Sequence, residues 1–139
     1  MPRRSRAREV ALQALHHMEF NPEAEAGDRA RFLKGRLHSG ALVAFAESLI
    51  DGVSREKAAL DARLDAQSAN WRVSRMAATD RTVLRIALHE LLHTDTPGPV
   101  VVDEAIELAR RYGNAASSRF VAGILGGLLA DLPVRAAGR

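Results

Sequence analysis

Residues 79–93 read TDRTVLRIALHELLH, and this stretch decides the fold. Val83, Leu84, Ile86, Ala87, Leu88, Leu91 and Leu92 point in almost every direction around a helical spiral, so the segment is a helix that is apolar nearly all round. Such a helix belongs at the centre of a bundle, because it leaves no polar face for water. Thr79-Asp80 supplies an N-cap oxygen and an early negative charge, both suited to the unpaired N–H groups of a helix start.

Downstream, Asp95-Thr96-Pro97-Gly98-Pro99 is a loop. A helix follows over about Val100 to Tyr112, with Val102, Ala105, Ile106 and Ala109 inward and Gly113 as its stop. Asp103 and Glu104 lie early in it and Arg110 and Arg111 late, which complements the helix dipole. Ser117 or Ser118 caps a last helix to about Leu132, with Phe120, Val121, Ile124, Leu125, Leu128 and Leu129 inward. Pro133 ends it, and residues 133–139 are expected to be a disordered tail.

Upstream, Trp71 to Met76 reads as a short turn or helix, with Trp71 as a buried anchor. A long helix is expected over Ala41 to about Gln67, its inner side marked by Leu42, Phe45, Leu49, Val53, Leu60 and Leu64. Phe32, Leu33 and Leu37 mark a short helix inside the polar stretch 23–40. The first helix runs from about Ser5 to Phe20 on the stripe Ala7, Val10, Ala11, Ala14, Leu15 and Met18, and Asn21-Pro22 ends it. No strand pattern or repeat interrupts this series. The expectation is an all-α protein with a single domain over residues 1–132.

Composition agrees. Hydrophobic residues make up 47% of 139 residues, enough for a buried core, while aromatics are only 4%. Cysteine is absent, which excludes disulfides and a cysteine zinc site. Met1-Pro2-Arg3-Arg4 is followed by no apolar run, and no stretch approaches the roughly 20 apolar residues that span a bilayer. A cytoplasmic location is expected. The net charge is +3, and eighteen of the twenty basic residues are arginine, whose planar fork pairs with phosphate.

Three groupings bear on chemistry. Arg3, Arg4, Arg6 and Arg8 cluster at the entry to the first helix; Arg4 and Arg8, four apart, share a face directed away from the apolar stripe. Close-set charges of this kind bind a phosphate backbone, although a solvated basic terminus looks the same. Arg119-Phe120 sets a cation beside a ring near a helix start, and periodicity suits Phe120 equally to a surface or to the core. His89-Glu90-Leu91-Leu92-His93 matches the zinc-peptidase spacing, with two imidazoles one turn apart and a glutamate between them. A catalytic zinc needs a third protein ligand. No histidine follows at a suitable spacing, and Glu104 and Glu107 lie across only a short loop. The sequence therefore assigns no metal, no cofactor and no catalytic residue. Adjacent His16 and His17 diverge by about 100° and do not converge on one ion. Asp61 and Asp65 read as a solvated helix face.

Taken in order, these segments resemble the NusB family. Arg4-Ser5-Arg6-Ala7-Arg8-Glu9 with Ala11-Leu12-Gln13-Ala14-Leu15 is similar to that family's first helix. Trp71 to Met76, Asp80 to Ala87 and Glu90-Leu91-Leu92 are similar to its central segment. Val102 to Ala109, Tyr112-Gly113, Ser117, Arg119-Phe120-Val121 and Gly123-Ile124-Leu125 are similar to its last two helices. The resemblance implies about six to seven helices in two sub-bundles. It also implies a transcription antitermination adaptor that binds boxA-type single-stranded RNA together with NusE, a small-subunit ribosomal protein, within the RNA polymerase complex on ribosomal RNA operons. RNA contacts are then expected at Arg4, Arg6, Arg8, Arg119 and Phe120, and NusE contacts near His16, Phe20 and Asp80. The sequence departs from the family at His16 and His89, where an aromatic is common, at Asp103 and Ala122, where Asn is usual, and at Ala116, where an acid is usual. A second reading is a stand-alone RNA-docking module like the N-terminal domain of some ribosomal RNA methyltransferases. A zinc peptidase is a third.

Overall fold

Of the stripe Ala7, Val10, Ala11, Ala14, Leu15 and Met18, the first five residues are buried along one helix, α1 (Arg3–Phe20), and Met18 near its end is half-buried. The computed structural model describes residues 3–23, 26–68 and 70–132. After α1 come α2 (Ala26–Arg36), α3 (Gly40–Gln67), a 3-10 turn (Val73–Arg75), α4 (Ala78–His93), α5 (Gly98–Tyr112) and α6 (Ser117–Asp131). No strand occurs among the described residues. The fold is all-α, as the sequence indicates. The expected tail, residues 133–139, lies outside the described residues. No helix described is long and apolar enough to cross a membrane.

The chain divides into two compact units, Met1–Arg55 and Glu56–Arg139. In the first, α1 packs on α2. Leu33 of α2, Leu37 just beyond it, and Ala46, Leu49, Ile50 and Val53 of α3 complete the core. Each fully buried leucine or isoleucine contributes about 1.5–3 kcal/mol of transfer free energy. Arg29 pairs with Asp51 at 3.1 Å, tying α2 to α3.

In the second unit α4 is buried continuously from Thr82 to Leu91, and α5 and α6 pack on it and on each other. That is the central position its all-round apolarity demands. Leu60 and Leu64 of α3 lie in this core too. Arg85, itself buried in α4, donates to both carboxylate oxygens of Asp61 at 2.8 and 2.9 Å. Asp65 accepts the Val73 N–H at 2.7 Å and fixes the 3-10 turn. The two aspartates expected on a solvated face are therefore structural.

Other local readings shift as well. Trp71 is 54% exposed, because Val73 and Met76 take the buried positions of that connection. Helix α5 begins at Gly98 and turns Val101, Ala105, Leu108 and Ala109 inward, while Val102 and Ile106 are half-buried. The cause is a close approach: a Cβ on Gly98 would collide with Leu129 of α6, so the start of α5 lies against α6 and brings Val101 inside. The N-caps are Ala77 for α4 and Ala116 for α6, which places Thr79-Asp80 and Ser117 inside the first turns. Gly113 has φ −95° and so is not left-handed; it is required because a Cβ would press on Ser117 and stand 2.7 Å from the Ala109 carbonyl oxygen.

Candidate nucleic-acid interface

Beginning α1 at Arg3 puts the arginines on a formed helix, and the four then separate by environment. Arg3 and Arg4 are exposed. The Arg4 guanidinium lies 4.5 Å from the centroid of the Phe45 ring on α3, and that of Arg8 lies 5.2 Å from it. Arg4 and Arg8 therefore do share a face, as their spacing predicts, and Phe45 lies against both, leaving Arg4 exposed and Arg8 buried. Arg8 is only 4% exposed. Arg6 is half-exposed and pairs with the buried Glu9 carboxylate at 3.3 Å. Cation–π contacts and the ion pair hold the run in place, and Arg3 and Arg4 present the most accessible charge.

The far end of α1 is different in kind. His16 and Phe20 are exposed, their ring centroids 4.9 Å apart and tilted by 51°. Phe20, at 59%, is the most exposed of the large hydrophobic residues described. Asn21 donates to the His17 carbonyl at 3.0 Å and closes the helix end.

In the second unit, Arg119 and Phe120 stand in the first turn of α6. A small hydrogen-bonded turn positions them. The Asn114 N–H donates to Ser117 Oγ at 3.0 Å, and the Ala116 N–H donates to Asn114 Oδ1 at 2.9 Å. Arg119 is exposed and Phe120 half-buried, so Phe120 is neither wholly in the core nor wholly on the surface. Asp80, in the first turn of α4, is buried and presents no exposed charge. The structure groups Arg4, Arg6 and Arg8 in the first unit, and Arg119 and Phe120 in the second.

Sequence reasoning passed over one cluster. Glu56 of α3 lies against both histidines of the zinc-peptidase-like motif, 2.7 Å from His93 Nε2 and 3.7 Å from His89 Nδ1. It stands upstream of the pair, whereas a third ligand was sought downstream.

The profile of the NusB family matches residues 5–130 of this sequence. This chain belongs to the NusB family. The transcription antitermination protein NusB of Anaeromyxobacter dehalogenans is 44% identical over 94% of this chain and 93% of its own length. That of Carboxydothermus hydrogenoformans is 38% identical over 88% of this chain and 90% of its own. Among solved structures, NusB of T. maritima aligns with a TM-score of 0.82 at 32% identity, covering 94% of this chain and 92% of that one. A chain from the complex of antitermination factors NusB and NusE with double-stranded RNA shares the fold, with a TM-score of 0.81 at 21% identity, covering 95% of this chain and 99% of that one. The NusB relatives are named for transcription antitermination, and the NusB fold sits here on the helices that carry the arginine run and the Arg119-Phe120 pair.

Proposed function

We propose that this chain is an RNA-binding transcription antitermination factor that recognises boxA-type RNA together with NusE and so promotes read-through, ribosomal RNA operons included. The observation that carries this reading is the 44% identity to a transcription antitermination protein NusB along nearly the whole of both chains. The surface chemistry supports it. Exposed arginines at the start of α1 suit phosphates, and the half-buried Phe120 beside exposed Arg119 suits stacking on an unpaired base. The exposed His16–Phe20 pair offers NusE an aromatic anchor of the kind enriched in protein interfaces. Asp80, buried in the first turn of α4, is the third position proposed for the NusE face. The factor works in the cytoplasm as an adaptor and has no catalytic residue.

The test is fluorescence anisotropy of a labelled boxA-like RNA beside a scrambled one, with and without NusE. Tighter binding of the boxA-like RNA, strengthened further by NusE, is the expected result. Equal, weak and salt-sensitive binding of both RNAs, unchanged by NusE, would overturn the reading and leave only a basic helical domain.

A further inference from the structure

Glu56, His89 and His93 bring three potential ligand atoms within 4.8 Å of one another. From this geometry we propose that they form a binding site for a divalent transition-metal ion of the zinc class. His89 and His93 are one turn apart on α4, so both imidazoles reach the same side of the helix; their ring centroids are 5.1 Å apart. The third donor comes from another element. At Glu56 the backbone of α3 leaves helical geometry (φ −108°, ψ 16°), and the carboxylate there faces both rings with different oxygens. Oε1 is 2.7 Å from His93 Nε2, and Oε2 is 3.7 Å from His89 Nδ1.

Donors around a tetrahedral zinc stand about 3.3–3.5 Å apart, given metal–ligand bonds of about 2.0–2.1 Å. The 2.7 and 3.7 Å contacts involve different Glu56 oxygens, and the three ligand atoms lie within 4.8 Å of one another, so they must draw together around an ion. The remaining adjustment falls to the His93 ring, whose side chain is 43% exposed. His89 is buried and Glu56 half-buried, so one side of the site is shielded while the His93 side opens to solvent. Two imidazole nitrogens and one carboxylate oxygen form a borderline donor set, which selects zinc, cobalt or nickel over calcium or magnesium, whose sites are all oxygen. A fourth position remains for water or an external ligand. The ion clips α3 at its irregular residue to the last turn of α4, and it replaces the contact that Glu56 and His93 make with each other. No peptidase chemistry follows from three ligands alone.

The experiment uses full-length protein without a histidine tag. Zinc bound after equilibrium dialysis is counted by elemental analysis, and Tm is followed against zinc concentration. One zinc per chain is expected, with Tm rising by about 5–10 °C at a hundredfold excess over Kd. Glu56→Gln and His93→Gln should each weaken binding by about 10–100-fold or more and cut the Tm rise at the same zinc concentration to about half or less. The double variant His17→Ala/His38→Ala, at histidines outside the cluster, should keep both. Absence of stoichiometric zinc would overturn the proposal and leave a histidine–carboxylate ion pair only. Zinc retained equally by Glu56→Gln and His93→Gln would overturn it as well. Should Glu56→Gln fail to fold, the exposed His93→Gln carries the test.

Discussion

A residue's sequence neighbourhood gives its charge, while its partners decide what that charge can reach. Arg4 and Arg8 look equivalent as letters four apart, yet Arg4 is exposed and Arg8 buried, both against Phe45. Their alanine variants should therefore differ in kind. Arg4→Ala combined with Arg6→Ala should lower the slope of log affinity against log salt by roughly 1.4, at about 0.7 per phosphate contact on single-stranded RNA, and should also lower Tm, because Arg6 pairs with the buried Glu9 carboxylate. Arg8→Ala should instead cost about 1–2 kcal/mol of stability, from lost cation–π contact and lost packing of the arginine stem, measured by urea unfolding. An unchanged slope in the first variant would remove Arg4 and Arg6 from the RNA contact. Phe120→Ala should cost about 1–3 kcal/mol of RNA affinity. Its Tm loss should be smaller than that of Leu125→Ala, because Leu125 is fully buried and Phe120 is not.

Among the elements, α4 was the most legible and α5 the least. An all-round apolar segment has one place to go, and no register error can misplace it. An amphipathic helix has a definite inner face, but its neighbours set where that face lies. Gly98 allows α5 to meet Leu129, and that contact rotates Val101 inward in place of Val102. Long-range partners were equally invisible. Nothing in the spacing of Asp61 announces Arg85, or in that of His89 and His93 announces Glu56. Trp71 was misplaced for a related reason: burial of the 3-10 turn is decided by Val73 and Met76, which the turn directs inward. Two variants test these element-scale forces. Asp61→Ala strands the buried Arg85 charge and should cost about 3–5 kcal/mol, read from chemical unfolding. Gly126→Ala places a methyl in open space on α6 and should raise Tm by about 2–4 °C through helix propensity and a less flexible unfolded chain. A fall in Tm would mean that α6 needs the glycine for close approach.

For the molecule as a whole, the proposed function asks one protein to hold RNA and a protein partner together, and the two sites proposed on α1 offer a way to do so. Its 18 residues extend about 27 Å, with exposed arginines at one end and the His16–Phe20 pair at the other. Two ligands on those ends need not compete for surface. They couple only through contacts between themselves or through a change in the protein that both favour. Phe20→Ala should accordingly weaken NusE binding by about 1–3 kcal/mol, as loss of an exposed aromatic anchor does, while RNA affinity without NusE stays within about 0.5 kcal/mol of the unmodified protein. Arg4→Ala should do the reverse, weakening RNA binding with or without NusE and leaving NusE affinity alone. Titrating the double variant closes the cycle. Losses that add within about 0.5 kcal/mol mean that α1 is a rigid rod carrying two independent sites. A larger deviation means that occupancy at one end alters the other, and the helix itself then transmits the cooperation between RNA and partner.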